Sequence, residues 1–419
     1  MSFKDQNIIT FGCRLNSFDS QIIREKAKNK KLKNTFFINT CAVTKEAEKQ
    51  AKKKIRNIKR NHPNAKIIVT GCSAQINPKI YENMDEVSLI LGNEEKFNFE
   101  KYLNISKNNS QKIKVNDIMS VKETANHFIN GFNKKARAFI QIQTGCDHRC
   151  TFCIIPFGRG NSRSVPINKI CEQIDILLKN NFKEIVLTGV DLTSYGNDLY
   201  KQPTLGILIK EIFKKNKNLE RLRLSSLDAI EIDNNLMDII AHEERLMPHL
   251  HLSLQSGDNL ILKRMKRRHT REDAINLCNT LKKKRKNIVF GADIIAGFPT
   301  ETNQMFLNSK KIITECDLTY LHIFPYSNRP NTPASKMPQI SKKIIKERAK
   351  ILRNEGEKKL KEFLKKQINK KHKVLFESET NGHSENFIPV KTISKYKIGE
   401  VLTLKGINVT DGKLISQVI

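Results

Sequence analysis

The sequence predicts an α/β protein in three parts: an N-terminal parallel α/β domain (residues 1–128), a central partial (β/α)6 barrel (132–365) and a small C-terminal β-barrel (366–419). Three observations carry this reading. Short apolar runs alternate with helix-like stretches as far as residue 365, the pattern of βα units around parallel sheets. Cysteines, glycines and polar residues stand just past the ends of those runs, on the edge where open parallel sheets bind ligands. From residue 366 the pattern changes to short β-like runs broken by glycines, as in a small barrel.

Composition sets the outer limits. The 419 residues suffice for two or three domains. No apolar run is long enough to span a membrane, and residues 1–5 lead straight into a strand-like run without a signal-peptide pattern. Nine cysteines, an odd number, favour ligand use over disulfides and a reducing cytoplasm. The net charge of +32 points to a polyanionic partner such as RNA. Lys, Asn and Ile are abundant everywhere, so this charge gains weight only beside a folded RNA-binding part.

In the N-terminal part, apolar runs at 3–11, 36–40, 67–71 and 87–91 lead to Gly12-Cys13, Cys41, Cys72 and Gly92-Asn93. Helical patterns separate them, including a strongly basic one at 44–60 that Pro63 helps to end. Cys13, Cys41 and Cys72 thus each follow a strand and converge on one sheet edge, although they are far apart in sequence. Residues 101–134, Asn/Lys-rich around 107–110, read as a connecting segment with one strand near 113–115.

Six strand-like runs follow, at 138–143, 184–188, 221–225, 249–255, 288–295 and 320–325, with helical patterns at 165–180, 204–216, 232–244, 270–286 and 302–314. Strict βα repetition implies right-handed crossovers and a curling parallel sheet. Six units leave the barrel open at the side, which suits a bulky substrate. The first run feeds the loop Gly145-Cys146-Asp147-His148-Arg149-Cys150-Thr151-Phe152-Cys153. Adjacent thiols close almost no chain and are poor staples, but they are good metal ligands. Zinc would need a fourth ligand, for which His148 is at hand; an iron–sulfur cube would be left with one open iron. Cys171, Cys278 and Cys316 lie among apolar helical neighbours and read as core.

The Cys-x3-Cys-x2-Cys loop, with Phe152 before its last cysteine, resembles the signature of radical S-adenosylmethionine (SAM) enzymes. The resemblance implies that Cys146, Cys150 and Cys153 hold a 4Fe–4S cluster whose open iron chelates SAM. It also implies reductive cleavage of SAM to a 5′-deoxyadenosyl radical, chemistry that belongs to the cofactor while the protein positions it. Strand ends contact SAM in that family, which singles out Gly189, Ser226, Gln255 and Gly297.

Three further words resemble the N-terminal domain of the methylthiotransferases: Gly12-Cys13-x-x-Asn16-x-x-Asp19-Ser20, Asn39-Thr40-Cys41-Ala42-Val43 and Gly71-Cys72-Ser73-Ala74-Gln75. There the three cysteines bind a second 4Fe–4S cluster, whose open iron is thought to carry the sulfur. Gln21 departs from the family, which usually has an acidic residue at that place. Gln255-Ser256-Gly257-Asp258, Gly297-Phe298-Pro299-x-Glu301-Thr302 and Tyr326-Ser327-x-Arg329-x-x-Thr332-Pro333-Ala334 extend the match over most of the chain. The tail, through Gly382-His383-x-Glu385-Asn386-Phe387, resembles the RNA-binding TRAM domain. Phe387 then either stacks on a base or packs inside the barrel. Between Lys342 and Lys373 there are fourteen Lys/Arg against four Glu, which forms one wall of an RNA track or a solvated linker helix.

The resemblance implies a radical SAM methylthiotransferase acting on tRNA with two 4Fe–4S clusters and SAM. A methylthio group replaces the hydrogen at C2 of a modified adenosine, which must be extruded from the anticodon loop. The words Gly12-Cys13-Arg14-Leu15-Asn16, Arg159-Gly160-x-x-Arg163-Ser164 and Gly382-His383 favour N6-threonylcarbamoyladenosine at position 37. Arg14 or Arg163 would fork onto the threonyl carboxylate. Electrons would come from a flavodoxin- or ferredoxin-type donor; the sulfur donor stays open. The alternatives are isopentenyladenosine-37 of tRNA, an aspartate of a ribosomal protein, or a zinc-containing RNA-binding protein without enzymatic activity.

Overall fold

A computed structural model of the chain describes residues 7–30, 32–103, 112–122, 128–131 and 136–419. The Asn/Lys-rich stretch at 107–110 and the start of the first expected strand lie outside them. The chain forms two compact units: Met1–Ile129 with Gln143–Ser164 and Arg329–Thr332, and Asn130–Ile142 with Val165–Asn328 and Pro333–Ile419.

The first unit is built on a parallel sheet of β1 (Ile8–Thr10), β2 (Thr35–Thr40), β3 (Lys66–Gly71), β4 (Leu89–Leu91) and β5 (Ile113–Lys114), in that spatial order. Helices α1 (Arg14–Asn29), α2 (Lys45–Asn61), α3 (Cys72–Ile76) and α4 (Lys79–Glu82) connect the first four strands. Strand alternation sends Ile38, Ile67, Val69 and Ile90 to one face, under Ile55 and Ile58 of α2. Phe37, Ile68, Leu89 and Leu91 go to the other face, with Ile23 and Ala27 of α1 and with Phe99. Thr44 caps α2 by accepting from the Ala47 N–H at 3.2 Å. The strand expected near 113–115 in the connecting segment is β5, which pairs with β4.

The second unit carries six βα repeats. Strands β6 (Arg137–Gln141), β9 (Glu184–Thr188) and β10 (Arg221–Leu224) form one parallel sheet; β7 (Gln143–Thr144) and β8 (Arg163–Ser164) form a small hairpin in the first unit. Strands β11 (Ser226–Leu227), β12 (His249–Gln255), β13 (Val289–Ala296) and β14 (Leu318–Pro325) form a second parallel sheet. The expected strand 221–225 is split between the two, parted at Ser225. After α5 (Ile155–Arg159) of the first unit come α6 (Ile167–Lys179), α7 (Leu205–Lys215), α8 (Asn234–His242), α9 (Asn259–Arg264), α10 (Arg271–Lys284), α11 (Asn303–Glu315) and the long α12 (Lys342–Lys365). Cys171, Cys278 and Cys316 are core residues, 5%, 2% and 1% exposed, as their apolar neighbours implied.

The tail closes into a five-stranded barrel in the order β15 (Lys371–Phe376), β16 (Asn381–Ser384), β17 (Pro389–Lys391), β19 (Lys413–Val418) and β18 (Val401–Thr410). Its core is Val374, Phe376, Ile388, Val390, Leu404 and Leu414, with Leu364 of α12. Gly382, expected in a turn, instead lies in β16 opposite Phe376. The alternation was there, but its inward residues are Gly382 and Ser384, too small to read as a strand. Phe387 corrects the reading that packs it inside the barrel. It lies outside the barrel core and its ring faces are taken by the chain's own side chains, between His249 of β12 at 4.9 Å and His383 at 4.6 Å, with the Arg223 guanidinium at 4.9 Å.

A buried ion cluster lies at the same junction. The side chain of Glu184 is 1% exposed and accepts from Arg221 and Arg223 Nε, each at 2.9 Å. The Arg223 fork continues to the carbonyls of Ser384 and Glu385 in the small barrel. Burial alone would raise the Glu184 carboxyl, but Arg223 and then Arg221 overcome it and hold it at about 2. Glu184→Gln is expected to destabilise the protein by about 3–5 kcal/mol, because two buried guanidiniums lose their counter-charge. A urea midpoint measures this. The folded pKa lies below the ordinary 4.5, so the contribution is present above pH 4.5 and is lost as pH falls towards about 2.

Candidate functional site

The first unit brings the thiols together. Gly12 and Gly71 precede Cys13 and Cys72 with φ of +93° and +95°, a region that side chains rarely adopt. Each turns the chain sharply off its strand. A Cβ on Gly12 would lie 2.8 Å from Cys41 Sγ, so the Cys13 turn sits against Cys41. Cys13 takes the N-cap of α1, where Ser, Thr or Asp is usual, and makes no side-chain cap bond. Asn16 fixes this arrangement by donating to Phe11 O at 2.7 Å and Thr40 O at 3.0 Å. Cys13 is exposed, while Cys41 and Cys72 are buried.

The three-cysteine loop docks on the same unit. Ile154, next to Cys153, packs in one buried cluster with Cys72 and Ala42. The loop is braced from within: Cys146 N–H donates to Gly160 O at 3.1 Å, Cys153 N–H to Cys150 O at 3.0 Å and Ser162 N–H to Asp147 Oδ1 at 2.9 Å. Cys146, Cys150, Cys153 and His148 are all half-buried.

Arg159, at the end of α5, ties the segment that follows Cys153 to the start of α1. It is 5% exposed, donates to Asn16 Oδ1 and to Asp19 Oδ2 at 2.8 Å, and lies within electrostatic reach of Cys72. Lys96 approaches Asp19 Oδ2 at 2.6 Å and Asn93 Oδ1 at 2.7 Å. Asn93 in turn donates to Gly158 O and points its amide at Cys72 Sγ, 3.9 Å away. Burial pushes the Cys41 thiol up to about 11; Cys72 and Cys13 add to this, while the Val43 N–H and Arg159 oppose it.

The other expected residues fall in several settings. Arg14 opens α1 and is half-buried. Arg163 is 6% exposed on β8, donating to Val121 O and Arg159 O at 2.9 Å each, so it braces the Arg159 turn. Gly189 just past β9, Ser226 at the start of β11 and Gln255 at the end of β12 are half-buried, Gln255 with a left-handed φ of +69°. Gly297 follows β13, but the space of its missing Cβ is taken by Ile345 of α12, 2.6 Å away, so a helix rather than a cofactor makes the close approach there. Gln21 is satisfied within α1, bonding Glu25 and Arg24. Arg329 seats its fork on Glu48 at 2.7 and 3.1 Å, which in turn accepts from Ser73 beside Cys72.

Sequence reasoning missed Asp19, Lys96, Asn93 and Arg159 as one group. A signal existed for Asp19, three residues from Asn16 and so on the same helix face. None marked Lys96.

Residues 140–313 match the family described as the Radical SAM superfamily, and residues 6–92 match the uncharacterized protein family UPF0004. A threonylcarbamoyladenosine tRNA methylthiotransferase of Rickettsia prowazekii, MtaB, is 54% identical over 407 residues, covering 97% of this chain and 96% of the relative. The chain is a radical SAM methylthiotransferase. The enzyme of the same name from Aquifex aeolicus is 37% identical to this methylthiotransferase, over 94% of the chain and 98% of the relative. The radical SAM methyltransferase TsrM of Kitasatospora setae superposes with a TM-score of 0.54 at 13% identity, over 77% of this chain and 67% of that one, a likeness of fold alone.

As a radical SAM methylthiotransferase the chain uses SAM and 4Fe–4S clusters. Its thiols suit cubes better than single ions. A lone zinc with bonds of ~2.3 Å draws its sulfurs to within about 4 Å of one another. The three-ligand groupings whose donor atoms lie within 4.8 Å of one another, among the described residues, contain no cysteine. Donors aimed at sulfur, from Val43 N–H to Cys41 at 3.5 Å and from Asn93 to Cys72 at 3.9 Å, with the Arg159 charge nearby, suit anionic, cluster-bound thiolates. No helix among the described residues is long and apolar enough to cross a membrane.

Proposed function

We propose that this methylthiotransferase converts N6-threonylcarbamoyladenosine at position 37 of tRNA to its 2-methylthio form, in the cytoplasm, with the anticodon loop as its target. The observation that carries this reading is the placement of two cysteine triads in one compact unit, with Ile154, next to Cys153, packed on Cys72. The choice of threonylcarbamoyladenosine rests on the 54% identity to a relative of that name.

Cys146, Cys150 and Cys153 would hold the cluster that binds SAM, and Cys13, Cys41 and Cys72 the second cluster. When bound, these groups would supply a sulfur methylated by one SAM and the reductive cleavage of a second, whose adenosyl radical takes the C2 hydrogen; a flavodoxin- or ferredoxin-type protein would supply the electron. The protein's own residues hold and orient. Asn93 and the Val43 N–H donate to the second triad, Arg159 sets its positive charge beside it, and Ile154 packs on Cys72. Gly189, Ser226 and Gln255 would offer polar contacts to SAM from the strand ends, with Gly297 as backbone only. Arg14, at the start of α1 beside Cys13, would fork onto the threonyl carboxylate, while Arg163 positions the Arg159 turn. The barrel of 371–418 and the basic α12 would grip tRNA phosphates.

Nucleoside mass spectrometry of tRNA from a deletion strain tests the substrate. The expected result is loss of the 2-methylthio form with unmodified threonylcarbamoyladenosine accumulating. Loss of the isopentenyl counterpart, or of the modified ribosomal aspartate, would replace this reading. Arg14→Ala is expected to raise KM for threonylcarbamoyl-tRNA by roughly tenfold or more, in line with loss of a charge-assisted pair. An unchanged KM would remove Arg14 from the carboxylate.

A further inference from the structure

Three adjacent strands of the second unit place two imidazoles and a carboxylate together, well inside the barrel sheet. His251 of β12 and His322 of β14 flank Asp293 of β13, and His322 is in register with Asp293. His251 Nε2 lies 2.8 Å from Asp293 Oδ1, and His322 Nδ1 lies 3.2 Å from that same oxygen. The two rings are tilted against each other, with centroids 4.5 Å apart. One donor atom from each residue lies within 4.8 Å of the others.

The face they occupy is the one turned from the helices. Along β12 the alternate residues Leu250, Leu252 and Leu254 are at most 1% exposed, and on β14 Leu321 packs against Gly356 of α12. His251, Asp293 and His322 have the opposite parity. Exposure rises across the three: the side chain of His251 is 10% exposed, Asp293 19% and His322 61%. An ion can therefore enter past His322 and reach a floor formed by His251. Asp293 is fully anionic near neutrality, since its neighbouring imidazoles hold it at about 2 against the opposing effect of burial.

We propose that His251, Asp293 and His322 form a binding site for a divalent cation of the zinc class, separate from the cysteine sites. Two neutral imidazole nitrogens and one carboxylate oxygen suit a borderline divalent ion, and three protein ligands leave at least one position for water or an oxygen donor. The carboxylate offsets one of the two charges. The rigid sheet holds the three ligands at nearly fixed spacing, so binding needs small side-chain adjustments only. Nothing in the methylthiotransferase reaction requires this ion.

The test uses the full-length protein with both clusters reconstituted under argon, so that the six cysteines are already occupied. It is dialysed against micromolar Zn2+, and metals per chain are measured by mass spectrometry. The expected result is one zinc per chain in the wild type, with affinity lowered roughly tenfold or more in His322→Ala and in Asp293→Asn. His322 is exposed, so its replacement leaves the fold intact, which an unchanged iron content checks. A zinc-dependent rise in Tm, present in the wild type and absent in His322→Ala, gives a second readout. Equal zinc uptake by wild type and both variants, or none by the wild type, would overturn the site and leave a hydrogen-bonded trio in its place.

Discussion

Cys13→Ala protein, reconstituted under argon, is expected to hold about four iron atoms per chain where the wild type holds about eight. It should still cleave SAM, yet transfer no methylthio group. The reason lies in the placement of the two triads. Cys13, Cys41 and Cys72 gather around the Gly12 and Gly71 turns, while Cys146, Cys150 and Cys153 sit on a loop braced by its own hydrogen bonds. Removing a ligand from one triad leaves the other's bonds in place. Cys13 is the informative choice because it is exposed, and its loss costs the core nothing. Cys150→Ala should behave differently and abolish both SAM cleavage and transfer. Iron analysis, 5′-deoxyadenosine production and tRNA nucleosides read the three outcomes. A Cys13→Ala enzyme with full iron content and normal transfer would exclude the second cluster from that triad.

Asp19→Asn is expected to destabilise the first unit by about 3–5 kcal/mol and to impair iron loading at the Cys13 triad. Asp19 is fully buried, and its Oδ2 is shared between Lys96 at 2.6 Å and Arg159 at 2.8 Å, themselves 1% and 5% exposed. Burial opposes its charge, yet Arg159 and Lys96 overcome this and keep the carboxyl below its ordinary value. Burial pushes Lys96 down, and Asp19 opposes this. An amide at position 19 would leave two cations buried together, so Lys96 would give up its proton and Arg159 would lose its anchor beside Cys72. The folded pKa of Asp19 is depressed, so its stabilisation exists above pH 3.8 and is lost as pH falls below that value. Chemical denaturation at neutral pH measures the loss, and Lys96→Met added to Asp19→Asn should recover part of it. A loss under 1 kcal/mol would show that the cluster is dispensable.

Much of the scaffold was legible from local pattern. The helices expected at 165–180 and 270–286 run Ile167–Lys179 and Arg271–Lys284, because capping and periodicity act within a few residues. The thiols' positions after β1, β2 and β3 were legible for the same reason: a βα unit dictates which end of its strand faces the ligand edge. Small residues defeated the same reasoning at β16, where Gly382 and Ser384 carry the buried alternation.

By itself, then, the order of residues determined the α/β architecture, the parallel sheets and the six thiols' places at loop and strand ends, since all of these follow from interactions between near neighbours. Only the tertiary structure decided what those places mean. Arg159 meets Asp19 and Cys72, Arg163 braces a turn, Phe387 packs between two histidines, and His251, Asp293 and His322 share one oxygen. Apart from Arg163 with Arg159 and Phe387 with His383, these join residues far apart along the chain. Their partners are chosen by burial, where a polar group must find a complement or lose its hydration uncompensated, and no local pattern records that choice.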